Sequence, residues 1–319
     1  MDRQGPVAHL RRAVTEFAQT YLGDTDRWCV GLSGGPDSLA LIAVAARLRP
    51  TTALIVDHGL QADSAIVTET ARAQAISLGC TEARVLRVAV TSDGGPEAAA
   101  RAARYRALDA NRDGPVLLAH TLDDQAETVL LGLGRGSGAR SIAGMRPHDP
   151  PWCRPLLGVR RTVTHGACTE LGLAPWRDPH NADRRFTRAR LRGEVLPLLE
   201  DVLGGGVAEA LARTATALRE DTDLIDAIAA DALPGVSTGA GLDTAALAVL
   251  PAPVRRRVIR GWLLAGGAVG LTDKQIRGVD TLITGWRGQG GVAVGSRLRG
   301  RRLFAGRRDG VLVLRQQAI

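Results

Sequence analysis

Hydrophobic and polar positions in the first half of the chain follow two alternating rhythms. Short apolar runs at 28–32, 51–60, 83–90 and 115–120 read as strands. Segments with helical spacing lie between and after them, at 36–48, 64–78, 96–111 and 121–133, and a further amphipathic stretch, 7–20, precedes the first run. Strand and helix alternate with short joins. That order predicts an α/β fold with a doubly wound parallel sheet, helices covering both faces. Ligands of such sheets sit beyond the carboxyl ends of the strands. Three predicted strands end in polar residues: Ser33, Asp57 with His58, and His120.

The rhythm changes after Pro155. A helix is predicted at 158–171, and 174–199 begins as a turn and becomes a basic helix. Gly204, Gly205 and Gly206 mark a boundary, and 207–233 carries a long apolar helical stripe, with more helices to about 285. The last stretch alternates and is broken by glycines, as a small antiparallel appendix would be. The organisation expected is a catalytic domain at 1–200 and a mostly helical domain with the β appendix at 207–319. Four glycines within 132–138, with Arg135 among them, suggest a mobile loop near the cleft.

Composition narrows the setting. The 319 residues are 45% hydrophobic and suffice for two cores. Lys274 is the only lysine, so the wealth of arginine reflects a GC-rich coding background more than a nucleic-acid partner. Coding bias does not set the sign of the surface, however, and the net charge is +8, which favours a polyanionic partner. Cys29, Cys80, Cys153 and Cys168 form no CxxC pair, which argues against zinc or an iron–sulfur cluster. No apolar run approaches the ~20 residues of a spanning helix, so no membrane contact and a cytoplasmic location are expected.

The stretch Ser33-Gly34-Gly35-Pro36-Asp37-Ser38 joins the first strand to the next helix. Two glycines let the backbone approach a ligand, the helix start offers free N–H groups, and two hydroxyls can donate to phosphate. There is no lysine before the Ser, unlike the common phosphate loop. Asp37 can face a polyphosphate only with Mg²⁺ between the two anions.

This SGGPDS stretch resembles the pyrophosphate-binding loop (PP-loop) of the N-type ATP pyrophosphatases, a Rossmann-like superfamily. Further segments narrow the resemblance: VDHGLQ (56–61), AARAARY (99–105), LAHTLDDQAETVLLGLGRGSG (118–138), RPLL (154–157) and WRDPHNADRRFTRARLRGEVLPLL (176–199). Together they resemble the tRNA(Ile)-lysidine synthase family, strongly over 27–199 and more loosely to about 285. The resemblance implies ATP and Mg²⁺ as cofactors, with tRNA(Ile) bearing a CAU anticodon and free L-lysine as partners. ATP would adenylate the C2 oxygen of the wobble cytidine, and the ε-amine of lysine would displace AMP. A homodimer is compatible with the chain. The chain is expected to end before the further C-terminal domain of long-form members.

Site residues follow from the same resemblance. Ser33, Gly34, Gly35, Pro36, Asp37 and Ser38 would hold the phosphates, with Asp57, His58 and His120 near the nucleotide. Asp37 and Asp124 are the candidate metal ligands. Asp123 and Glu127, four apart on one helical face, are assigned to lysine binding and proton acceptance. The plain alternative is a capped helix with acidic first-turn residues, which the helix dipole also favours. Arg104 is a catalytic candidate, and Arg101, three residues away, is assigned to tRNA. Arg184, Arg188 and Arg192, spaced by four, would form a stripe on tRNA phosphates, joined by Arg255 and Arg256 and by arginines of the tail. Thr121, Leu122 and Gln61 depart from common family choices. The competing readings are a tRNA cytidine 2-thiolation enzyme of the same fold and a non-catalytic adenine-nucleotide or RNA-binding module. The isolated cysteines oppose the first, and the joint presence of SGGPDS and LDDQAET opposes the second.

Overall fold

The computed structural model describes residues 5–59, 64–89, 96–136, 138–178, 183–298 and 300–318, so Gln61 and Arg299 lie outside the described residues. Cα packing separates two units: 1–130 with 144–213, and 131–143 with 214–319.

In chain order the first unit contains α1 (Pro6–Tyr21), β1 (Trp28–Gly31), α2 (Pro36–Leu48), β2 (Thr51–Asp57), α3 (Ser64–Ser77), β3 (Glu82–Arg87), α4 (Pro96–Asn111), β4 (Val116–Leu117) and the start of α5 (Leu122–Arg135). After α6 (Ala139–Ile142), which belongs to the second unit, come β5 (His148–Asp149), β6 (Trp152–Cys153), α7 (Arg161–Glu170), α8 (Thr187–Arg190), a π-helical turn (Leu191–Val195), α9 (Leu196–Val202) and the first turns of α10 (Val207–Val236). The described strands form one sheet in the order β3-β2-β1-β4-β6-β5. All pairs are parallel except β5 with β6. The doubly wound sheet is therefore present.

Burial explains the pattern. Every residue of β1 is buried, and so is each residue of α2 from Ser38 to Ala45. A helix apolar all round must be covered on both sides. The sheet covers one side of α2, and α1 and α7 pack on it as well. Leu10 and Val14 of α1, Leu39 and Ile42 of α2, and Ala167 of α7 share one core with Val30 and Ile55 of the sheet.

Two local expectations change. The segment 132–138 is only half loop, because α5 runs on to Arg135. Gly132 is a packing glycine: a Cβ there would stand 2.0 Å from the Ser141 carbonyl oxygen. The helix expected from 158 begins at Arg161, because Val159 N–H bonds the Leu156 carbonyl in a preceding turn.

The second unit contains the rest of α10, then β7 (Ser237–Thr238), β8 (Gly241–Asp243), α11 (Thr244–Ala248), α12 (Ala252–Ala265), β9 (Ala268–Val269), α13 (Asp273–Thr284), β10 (Val292–Ser296), β11 (Arg301–Arg308) and β12 (Val311–Ala318). Its described strands form an antiparallel sheet, β7-β8-β12-β11-β10-β9. The appendix is larger than its last three strands because β8 pairs with β12 and β9 with β10. Leu242, Leu247, Ile259, Leu263, Val279 and Leu312 pack its core.

Candidate functional site

The chain leaves β1 into the glycine turn. Gly34 has φ +79°, a conformation a side chain would strain, and its carbonyl accepts the Trp176 N–H at 2.9 Å. Ser38 ties the turn together. Its hydroxyl accepts the Ser33 N–H at 3.2 Å, lies 3.0 Å from the Ser33 hydroxyl and donates to the Gly35 carbonyl at 3.0 Å. Gly35 caps α2 without a side-chain bond, and Pro36 opens the helix. The first-turn N–H groups are therefore not taken by a capping side chain, the usual condition for an anion site.

Beside the turn, at the ends of β1 and β2, lies a cavity of about 290 Å³. Ser33, Val56, Asp57, His58, Arg104 and Trp176 are among its lining residues. Asp57 accepts the Gly59 N–H at 2.9 Å. Burial, then Arg104, lowers the affinity of His58 for a proton, so it stays neutral near pH 7. Arg104 is itself desolvated, which disfavours its charge, and no anion pairs with it among the described residues. Arg101 points elsewhere: its guanidinium lies 4.9 Å from the Tyr105 ring centroid and donates to the Tyr105 hydroxyl at 3.1 Å. A larger, shallower cavity of about 390 Å³ between α1 and 155–159 holds none of the predicted site residues.

The acidic start of α5 meets Arg161. Thr121 and Asp124 form a capping box: Asp124 Oδ2 accepts the Thr121 N–H at 2.8 Å and its hydroxyl at 2.7 Å, and Asp124 N–H reaches back to Thr121 Oγ1 at 3.4 Å. The other Asp124 oxygen accepts Arg161 Nη2 at 2.7 Å. Glu127 is 0% exposed and accepts Arg161 Nη1 at 3.3 Å and Arg192 Nε at 2.8 Å. Asp123 accepts the Arg161 backbone N–H at 2.7 Å and pairs with Arg160 at 3.2 Å, so it caps α7. Asp37 faces the same guanidinium, 3.5 Å from Nε, and accepts a short hydrogen bond from the Thr164 hydroxyl. The bland capped-helix reading is thus part of the answer: Asp124 caps its own helix and Asp123 a neighbour's.

Electrostatics separates the members of this group. Burial alone would raise both aspartates. For Asp37 burial wins over Thr164 and Arg161, and its carboxyl is held above the usual range. For Asp124, Arg161 and the Thr121 bonds outweigh burial and hold it below. Asp124 has the closer contact to Arg161, 2.7 Å against 3.5 Å, and the two Thr121 hydrogen bonds besides. Burial pushes His120 down to about 3, so it is a neutral imidazole, and its Nδ1 is buried without a hydrogen bond.

Asp37 and Asp124 are the metal candidates, and Arg161 stands against both. Among the described residues no three His, Cys, Asp or Glu gather around a metal position. Two hard carboxylates still suit Mg²⁺, which takes one or two of them and fills its shell with phosphate oxygens and water.

The arginine stripe does not form. Arg184 precedes α8 and pairs with Glu194 at 2.8 Å, Arg188 donates to Thr128 at 3.2 Å, and Arg192 turns onto Glu127. The reason is that Arg184 lies before α8 and shares no helical face with the other two, and that each of the three is held by a partner within the chain. Arg255 is buried in the second unit on Asp280 at 2.6 Å, and Arg256 shares that carboxylate at 3.0 Å. Arg160, Arg161 and Thr164 stand beside these carboxylates and are not among the residues expected from the sequence. One signal was available: two arginines at a helix N-terminus oppose the dipole unless carboxylates face them.

Residues 6–199 match the sequence model of the PP-loop domain, and residues 242–308 that of the TilS substrate binding domain. The tRNA(Ile)-lysidine synthase of Mycobacterium bovis is 78% identical over 323 residues, covering 100% of both chains. That of Mycolicibacterium paratuberculosis is 75% identical over 319 residues, again 100% of both, and that of Nocardia farcinica 60% over 312, or 97% of this chain and 98% of its own. Among solved structures, the U34-tRNA thiolase NcsA from Methanococcus maripaludis with its 4Fe-4S cluster aligns with TM-score 0.55 and 18% identity. That alignment covers 67% of this chain and 80% of the thiolase and shows a common fold.

Proposed function

The chain belongs to the tRNA(Ile)-lysidine synthase family, and from that premise we propose how its own residues divide the family's reaction. The reaction is ATP-dependent ligation of free L-lysine to C2 of a tRNA(Ile) cytidine through an adenylated tRNA, releasing AMP and pyrophosphate. The cytidine lies at the wobble position of a CAU anticodon.

The observation that carries the reading is the unpaired Arg104 in a cavity shared with the PP-loop. A desolvated cation without a counterion favours an anionic ligand. ATP occupies the cavity, its β- and γ-phosphates on the PP-loop amides and the Ser33 and Ser38 hydroxyls, its nucleoside beside Asp57, His58 and His120. Arg104 meets the phosphate that is attacked. Asp37 and Asp124 would hold Mg²⁺, which supplies charge neutralisation between carboxylate and phosphate. The C2 oxygen attacks the α-phosphorus, and pyrophosphate leaves.

Asp123 and Glu127 receive the lysine. The incoming ammonium competes with Arg192 for Glu127, and a carboxylate then takes the proton lost as the ε-amine bonds to C2 and AMP departs. The exposed Arg184, Arg185 and Arg190, with Arg301, Arg302 and Arg308 of the second unit, meet tRNA phosphates, while buried Arg255 drops out of that set.

Thiolation fits less well. The four cysteines are buried and free, and burial pushes Cys29 and Cys153 up to about 12 and Cys80 and Cys168 up to about 11. Such thiols carry almost no thiolate at neutral pH. The test is pyrophosphate release and lysidine formation on a tRNA(Ile) transcript with and without lysine. Release that depends on tRNA, with lysidine only when lysine is present, is expected. Release without tRNA, or sulfur incorporation from a persulfide donor, would overturn the reading.

A further inference from the structure

Arg161 touches more of the acidic groups than any single side chain needs for its own stability. Its Nη2 meets Asp124 at 2.7 Å, its Nη1 meets Glu127 at 3.3 Å, and its Nε stands 3.5 Å from Asp37. Its backbone N–H holds Asp123 at 2.7 Å. Four carboxylates from two elements, the α2 start and the α5 start, thus converge on one residue at the α7 start. Three features argue for more than ion pairing. The guanidinium sits at the positive end of α7, where the helix itself disfavours it. Nε is buried and makes no hydrogen bond, so the pairing is left incomplete on the Asp37 side. Thr164, one turn along α7, bonds the same Asp37, so α7 grips the PP-loop helix at two points.

We propose that Arg161 is a positioning residue that fixes Asp37 of the PP-loop relative to Asp124 and Glu127 of α5, so that adenylation and lysine transfer use one pre-organised set of carboxylates. A planar fork can serve three directions at once, and a single ammonium cannot. Arg161 acts through the carboxylates, and the proposal rests on the division of labour given above.

The test separates the two half-reactions. AMP transfer from labelled ATP to tRNA is followed in a single turnover without lysine. Lysine transfer is then followed from tRNA adenylated beforehand by the wild-type protein. Arg161→Lys keeps the charge and should fold, which circular dichroism and a melting curve verify. Both rate constants should fall by about 10²-fold, the scale of a 1 Å misplacement, while ATP affinity changes little. Arg161→Ala should lose at least as much, and guanidinium ion at millimolar concentration should restore part of both rates, which a merely structural loss would not allow. Loss of one half-reaction with the other intact, or near-normal rates in Arg161→Lys, would overturn the proposal. Rates that fall only with the folded fraction, and no response to guanidinium, would do the same. A wild-type protein that makes no lysidine would instead defeat the underlying reading, so the two failures are distinct.

Discussion

Each unit of the molecule buries a group of arginines and carboxylates, and the two groups are finished differently. In the second unit, both oxygens of Asp280 are used, by Arg255 at 2.6 Å and Arg256 at 3.0 Å, and Arg255 also donates to the Leu250 carbonyl at 2.7 Å. Little of that carboxylate or of Arg255 reaches solvent. In the first unit, Arg161 gathers Asp37, Asp124 and Glu127, yet its Nε has no hydrogen bond, His120 Nδ1 has none, and Arg104 has no counterion among the described residues. The saturated cluster holds a fold together. The unsaturated one leaves donors and charges open, as the proposed substrate contacts require. Burial and ion-pair distance alone do not tell the two apart, but the count of unmet groups does.

The sharpest way to break this contrast is to remove Asp280. Asp280→Ala leaves Arg255 buried without its carboxylate and should cost about 3–5 kcal/mol of stability. Denaturant unfolding measures it. A loss below ~1 kcal/mol, the scale of an exposed pair, would mean that the cluster is not structural.

Asp37→Asn should act the other way, on rate and not on stability. Formation of adenylated tRNA should drop by about 10²–10³-fold, as for loss of an electrostatic group at a reacting centre. Burial raises the Asp37 carboxyl, so the folded state disfavours its charge, and stability on this account falls as pH rises through the folded pKa. A neutral Asn should therefore leave the melting temperature at pH 7.5 unchanged or higher. A clear fall in melting temperature with adenylation preserved would place Asp37 with the structural charges.

Glu127→Gln divides the active cluster itself. It should slow lysine transfer by about 10²-fold, the lower range for a proton acceptor, and let adenylated tRNA accumulate. Parallel time courses with labelled ATP and labelled lysine follow both species. Equal loss of both products would take Glu127 out of the lysine role.

The smallest effect at neutral pH belongs to His120. Its folded pKa of about 3 lies below the ordinary 6.5, so the unfolded chain binds a proton that the folded chain refuses. Stability from this source is complete above pH 6.5 and is lost as pH falls toward about 3. His120→Asn should flatten the decline of melting temperature between pH 6.5 and 4.5 and change little at pH 8. An unchanged slope would mean that the imidazole is hydrated and outside the buried cluster.

The sequence alone marks neither of the short strands β5 and β6, but it does mark the other four strands of the sheet, the alternation of strand and helix along the chain, and the glycine turn after β1. Those depend on neighbours in the chain: apolar runs at β1 and β2, a glycine with positive φ at Gly34, a proline at the first turn of α2. It also placed Asp123, Asp124 and Glu127 on one helix start, since spacing along a helix is local. Only the tertiary structure decided what those carboxylates face. Arg161 lies 37 residues from Asp124 and 65 separate Arg192 from Glu127, so no local rule links them. Arg184 lies before α8 begins at Thr187, so a spacing of four written in sequence does not bring it onto one helical face with Arg188 and Arg192. Arg255 and Arg192 read as surface charge in the chain; Arg255 became a buried partner of Asp280 and the half-buried Arg192 a partner of the buried Glu127, because those carboxylates come from distant elements and an unpaired buried charge is costly.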